Sequence, residues 1–249
     1  MITTSAHLEE LRKRLLVSFG TIFLFAVLAY FFAEQIARFF MMPLFSAQSE
    51  VVKLVYTNLT EAFITYLKLS LLIGITFSIP VLIYELWMFI APGLHSSEKK
   101  TVLTVVFWAT LLFTAGASFA FFIVLPQLLH FFMGFSNPKL TALPKLGGYI
   151  TFVARTSLGF GLAFEIPFLM VATAKIGWVS RDYFATRRKY FYPAILLLSL
   201  LLAAGDLMAA VLLCLPLFAL YESGILIIHL FTREPKNNDA PASDPDHSA

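Results

Sequence analysis

The run from Leu67 to Ala91 is the feature that most limits what this chain can become. Its about 25 mostly apolar residues, at about 1.5 Å per residue as helix, outspan a hydrocarbon core of roughly 30 Å. In lipid such a segment must satisfy its own backbone groups, so the run predicts a membrane-spanning helix that is tilted or kinked to fit. Pro80 lies in mid-run and has no N–H for the carbonyl four residues earlier, which predicts a bend there. Pro92-Gly93 predicts the end of the helix, and the polar loop beyond sets Glu98 between His95 and the pair Lys99-Lys100.

Composition agrees with the run. Of 249 residues, 59% are hydrophobic and only 13% charged, which excludes an ordinary soluble domain. The 27 phenylalanines supply bulk for lipid and helix contact. The net charge of +3 is small, and the basic residues gather at helix ends without interleaved aromatics, so no nucleic-acid partner is expected. The lone Cys214 lies in an apolar run, which excludes an internal disulfide or thiolate metal site and predicts a packed thiol.

Taken in order, the first fourteen residues place Leu8, Leu11 and Leu15 on one helical stripe, with Glu9/Lys13 and Glu10/Arg14 at i,i+4 spacing. Two readings fit: a short helix on the membrane surface, or a solvated charge run that only sets topology. Leu15 to Phe32 predicts the first span; its about 18 apolar residues exceed the core of a cleavable signal. Residues 33–65 form a long connection whose FFMMPLF section, with Pro43, suits the interface. The Asn58-Leu59-Thr60 sequon reads better as a helix cap, with Glu61 three residues on.

Val102 to Leu125 predicts a third span closed by Pro126, and Gln127 to Gly148 a second long connection with turns at Asn137-Pro138 and Gly147-Gly148. The fourth span, Ile150 to Ile176, carries Arg155 and Glu165 and bends at Pro167; a basic loop, GWVSRDYFATRRKY, follows it. From Tyr190 to Phe231 the chain goes out and back around Gly205-Asp206. The fifth span, Pro193 to Ala204, is therefore short, about 18 Å as helix. No internal repeat is evident. The domains expected are a six-span membrane unit, 1–232, and a disordered cytoplasmic tail, 233–249, which is polar and without periodicity.

Six spans put both termini on one side. Arg12, Lys13, Arg14, Lys99, Lys100, Arg181, Arg187, Arg188, Lys189, Arg233 and Lys236 fall on that side, against Arg38, Lys53, Lys139 and Lys145 opposite, so both termini are expected in the cytoplasm.

Three acids stand out as candidates. Glu165 is about midway along its span, where an acidic residue costs roughly 2.5 to 3.5 kcal/mol to insert. It is either hydrogen-bonded to a neighbouring helix or turned toward a partner or a water-filled cavity. Arg155, about 15 Å from it along the axis, is expected to snorkel toward the outer surface. Glu10 and Glu98 lie beside helix ends on the cytoplasmic side. Exposed acids next to lysine are commonly just solvated, but paired carboxylates there suit a cationic peptide, because Arg and carboxylate form bidentate bonds. The sequence carries no HExxH, Walker loop or GxSxG, so no enzyme, metal or cofactor is expected.

The start HLEELRKRLL, Pro43, the segment Glu61 to Leu94, Glu98 with its lysines and Phe164-Glu165-Ile166-Pro167 together resemble the TatC family, from His7 to about Phe231. The resemblance implies an all-α membrane protein of six tilted, kinked helices in a concave, glove-like bundle with a short fifth and sixth helix hairpin. It implies the core receptor of the twin-arginine translocase in the cytoplasmic (inner) membrane. There it would form an oligomeric complex with the single-span proteins TatA and TatB and export folded proteins under the proton-motive force. The family's signal-peptide site falls on Glu10, Arg12, Phe89 and Glu98. Its intramembrane polar contacts fall on Glu165 and Asp206, and Pro43 is its loop proline. Where the family often has Thr-Pro-Pro-Asp, this chain has Ala203-Ala204-Gly205-Asp206, and Ala210 stands where a polar residue is often found. A proton-coupled small-solute transporter with Glu165 as relay is the rival, but it gives no reason for acids at Glu10 and Glu98.

Overall fold

The structure, a computed structural model, describes residues 4–47, 58, 60–90, 99–134, 145–175, 178–180 and 182–231. Glu98, the Pro92-Gly93 helix stop, the Asn137-Pro138 turn and the tail 233–249 lie outside the described residues.

Helix α1 runs unbroken through Thr4–Phe31. A separate surface helix is therefore not formed: no Gly or Pro interrupts Leu8 to Phe19, and the apolar run simply extends the charged turn outward. Of the two expected charge pairs, Glu10–Arg14 closes at 2.6 Å. Helix α1 packs along α4 (Glu61–Ile90). The approach is close because Gly74 faces Ala26, where an added Cβ would meet Ala26 backbone at 2.7 Å.

Between them the connection folds into two short helices, α2 (Ala33–Phe40) and α3 (Met42–Ala47). Helix α2 buries Ala33, Ala37 and Phe40 and turns the paired Glu34 and Arg38 outward, as an interfacial segment should. Tyr149 donates its hydroxyl to the Phe40 carbonyl at 3.0 Å. Pro43 is buried as the second residue of α3, a position that needs no N–H donor. The start of α4 differs from the expected cap. Glu61 is its first residue, and the Asn58 backbone carbonyl, not its side chain, receives the Glu61 N–H at 3.0 Å.

Pro126 does not close the third span. Helix α5 (Lys99–Phe119) passes through a π-helical turn at Ala120–Val124 into α6 (Leu125–Met133). The wide turn lets a fresh α-segment begin at Leu125, so that Pro126 sits in a first turn, where its missing N–H is not required. Gln127 to Met133 is accordingly helix rather than loop. Gly147-Gly148 likewise lies inside α7 (Leu146–Lys175) and makes no turn.

The remaining elements are a single turn, α8 (Tyr183–Thr186), then α9 (Arg188–Leu202) and α10 (Leu207–Phe231). Helix α9 has 15 residues, which is about 22 Å and short of a full hydrocarbon thickness, as expected. The other five spans are long and apolar enough to cross. Ala204 and Gly205 make the reversal with φ 55° and 88°. Asp206 then caps α10 by accepting the Ala209 N–H at 3.0 Å.

Helix α7 is central and joins two packed halves. One, with α9 and α10, holds Phe160, Leu213, Cys214 and Tyr221; the other, with α2, α3, α4 and α6, holds Leu44, Leu69, Leu125 and Ile150. Between α2, α4, α5 and α7 a largely apolar pocket of about 410 Å³ opens beside Pro80 and Phe113.

Candidate functional site

Arg14 lies on the same face of α1 as Glu10, one turn earlier, and that face meets α4 at Glu85. The guanidinium donates from Nε (3.1 Å) and Nη2 (2.6 Å) to Glu10 Oε1, and from Nη1 (3.0 Å) to Glu85 Oε2. Arg14 and Glu85 are largely enclosed, with 18% and 15% of their side chains exposed, and Glu10 is more open at 34%. Two carboxylates thus grip one planar cation where water is partly excluded and charge-assisted bonds gain strength. Each carboxylate uses one oxygen; among the described residues no bond is recorded to Glu10 Oε2 or Glu85 Oε1.

Around this grip lies an open pocket of about 500 Å³, lined also by Glu9, Lys13, Val17 and Tyr84. Three carboxylates face two cations there, so the pocket favours an added positive group. Phe89 stands one turn beyond Glu85 on α4, half-buried and in line with the same end of the bundle. Arg12 is exposed and, two residues from Arg14, projects from another face of α1, so it does not join the grip. Glu98 belongs to residues 91–98, which the structure does not describe, although α5 starts at Lys99 directly after it.

Glu165 is separate from this end. It is half-buried on α7, and its Oε1 has no hydrogen-bond partner among the described residues. The buried hydroxyls of Thr110, Thr156 and Ser157 share that condition. Unpaired buried polar atoms are costly, so the α5–α7 seam is a place that calls for a further donor or acceptor. Asp206 is exposed at the hairpin tip with its side chain committed to the α10 cap. Arg155 does not pair with Glu165; its Nη1 lies 3.5 Å from the Leu201 carbonyl.

Three groups escape a reading of sequence. Glu85 sits inside YELW, at the end of an apolar run, and an acid so placed needs a cation; Arg14, 71 positions earlier, supplies it. Lys68 hides in the same apolar helix, as the second residue of the run that begins at Leu67. Glu222, in the last span, accepts from Arg188 Nη2 at 2.8 Å and from the Tyr192 hydroxyl at 2.7 Å, tying α9 to α10. For Glu85 and Glu222 the partner lies on another helix, so spacing along one helix gives no sign of it. Among the described residues no cluster of His, Cys, Asp or Glu suits a metal ion.

The model of the family described as Sec-independent protein translocase protein (TatC) matches residues 6–216. A protein of that name from Desulforapulum autotrophicum is 37% identical over 238 residues, covering 96% of this chain and 88% of the relative. One from Aquifex aeolicus is 35% identical, covering 92% of this chain and 96% of the relative. A crystal structure of a twin-arginine translocase receptor, TatC, superposes with a TM-score of 0.82 at 35% identity, covering 91% of this chain and all of that one.

Proposed function

The chain belongs to the TatC family of Sec-independent protein translocase proteins, and from that premise we propose that it is the signal-peptide receptor of a twin-arginine translocase. The observation that carries the reading is Arg14 held between Glu10 and Glu85. An arginine is already seated there, so the carboxylates stand at a spacing that suits a guanidinium. Arg14 fixes their rotamers and leaves one oxygen of each for an incoming arginine. Paired arginines of a signal peptide then meet preset acceptors, which lowers the ordering cost of binding. Glu98, on the segment that joins α4 to α5, adds a further carboxylate to this end, and Phe89 offers an apolar contact beside it.

Lysine is a poor substitute here because a point charge cannot bridge two carboxylates in one plane. The receptor face is cytoplasmic in this reading, with both termini on the cytoplasmic side of the inner membrane. The distribution of Arg and Lys supports that orientation. TatA- and TatB-type single-span chains are the partners, and the unpartnered Glu165 Oε1 supports a contact with one of them within the membrane. Family membership leaves the small-solute transporter reading without support. The test is copurification of the full-length protein with a twin-arginine precursor and with its twin-lysine version. Retention of the first alone is expected, and equal retention of both contradicts the reading.

A further inference from the structure

At the end of the bundle opposite the Glu10–Glu85 grip, the first turns of α4 and α7 and Ala204 of the α9–α10 turn line a second pocket, of about 470 Å³. Three cationic side chains line it, Lys68, Lys145 and Arg155, against one carboxylate, Glu61. That carboxylate is partly engaged, since its Oε1 accepts the Gly147 N–H at 3.3 Å. No ion pair to Lys68, Lys145 or Arg155 forms among the described residues, and Arg155 has only the long contact to the Leu201 carbonyl. Its remaining guanidinium donors have no acceptor there. The N-terminus of α7 adds its positive pole, and Gly148 leaves open space, with no atom within 4 Å of where a Cβ would stand. Three cations against one partly engaged carboxylate leave the cavity with an excess of positive charge, which an anion would offset.

The surroundings indicate which anion. Ile64, Leu67 and Leu201, on the helices that frame the pocket, are 46%, 51% and 65% exposed and belong to the lipid-facing surface. A ligand with a phosphate head and acyl chains would place its charge among the cations and its chains along those exposed apolar side chains. We infer that this pocket binds the phosphate group of an anionic phospholipid, held by Lys68, Lys145 and Arg155. Such a lipid would pin α4, α7 and the α9–α10 turn together from outside. The site is distinct from the receptor end and does not depend on the reading given for it.

The test uses the full-length protein in neutral detergent, with phosphatidylglycerol, phosphatidylcholine and inorganic phosphate as separate probes. Native mass spectrometry and titration calorimetry are the readouts. One phosphatidylglycerol per chain is expected, preferred over phosphatidylcholine, whose choline cation the pocket repels. The double substitution Lys68→Gln with Arg155→Gln should weaken binding about tenfold or more, as befits the loss of charged hydrogen bonds. Lys68→Arg with Arg155→Lys should restore most of it, which separates lost charge from misfolding. Lys189→Gln, at the other end of the bundle, should bind as the unsubstituted chain does. Phosphate that binds with the same sensitivity, without preference between the lipids, would assign the site to a free anion instead. Failure of every probe to bind the unsubstituted chain, or binding indifferent to both double substitutions, would overturn the site.

Discussion

Arg14 on α1 and Glu85 on α4 lie 71 positions apart in sequence and 3.0 Å apart in space, and Glu10 holds the other side of the same guanidinium. The contact fixes the rotation of α1 against α4 at the end where the proposed receptor site opens. It therefore links the packing of the first two spans to the shape of the binding pocket.

A double-mutant cycle of Arg14→Gln and Glu85→Gln should show this coupling directly. With both side chains more than four-fifths enclosed, the pair exceeds an exposed ion pair, and a coupling of about 1 to 3 kcal/mol is expected in thermal or denaturant unfolding. Additive losses would mean that the two residues do not cooperate.

Glu165 separates two roles through two substitutions. Glutamine keeps a donor and an acceptor; alanine keeps neither. If Glu165 meets a partner chain, Glu165→Gln should retain much of the export activity, while Glu165→Ala should lose both export and crosslinks to a single-span partner near α7. Equal loss in the two variants, at matched membrane levels, would point to proton cycling instead.

Helix α5 meets α7 through Gly116, where an added Cβ would stand 2.6 Å from the Phe160 carbonyl oxygen and as near to the Phe164 ring. Backbone cannot move aside cheaply, so Gly116→Val should cost about 1 to 3 kcal/mol of stability. Gly20, with nothing within 4 Å, is the contrast: Gly20→Ala should be neutral or stabilising by up to about 1 kcal/mol. Thermal unfolding of both in one detergent checks the difference.

Topology is open to reporter fusions. A reporter at Ser136 and one on the C-terminal tail should report opposite sides of the membrane, with the tail inside. Signals from one side for both would contradict the six-span path.

The spans were legible because lipid leaves a chain little choice. Apolar length alone located the five long helices, and the Gly205-Asp206 reversal forced a short α9. Prolines were legible only in part. Pro126 reads as a stop in sequence, yet a π-helical turn at Ala120–Val124 relocates it to a helix start, a rearrangement that depends on packing against α7. Gly147-Gly148 reads as a turn but is helical in α7, where the Gly147 N–H donates to Glu61 Oε1 of α4 at 3.3 Å. At the candidate site Glu10 was visible from its charge pattern. Glu85 and Lys68 were not, because an apolar run masks a single charge whose neighbours lie on another helix.

The most direct measurement is the affinity of a twin-arginine signal peptide, and of its twin-lysine version, for the purified full-length protein. The unsubstituted chain should prefer the twin-arginine peptide by about tenfold or more. Glu10→Ala, Glu85→Gln and Glu98→Ala should each weaken twin-arginine binding by about 1.5 to 3 kcal/mol, the range for a charged hydrogen bond. They should also bring the two peptides close to parity. A preference for the twin-arginine peptide that survives all three substitutions undiminished would contradict the account, because the arginines would then be read somewhere else.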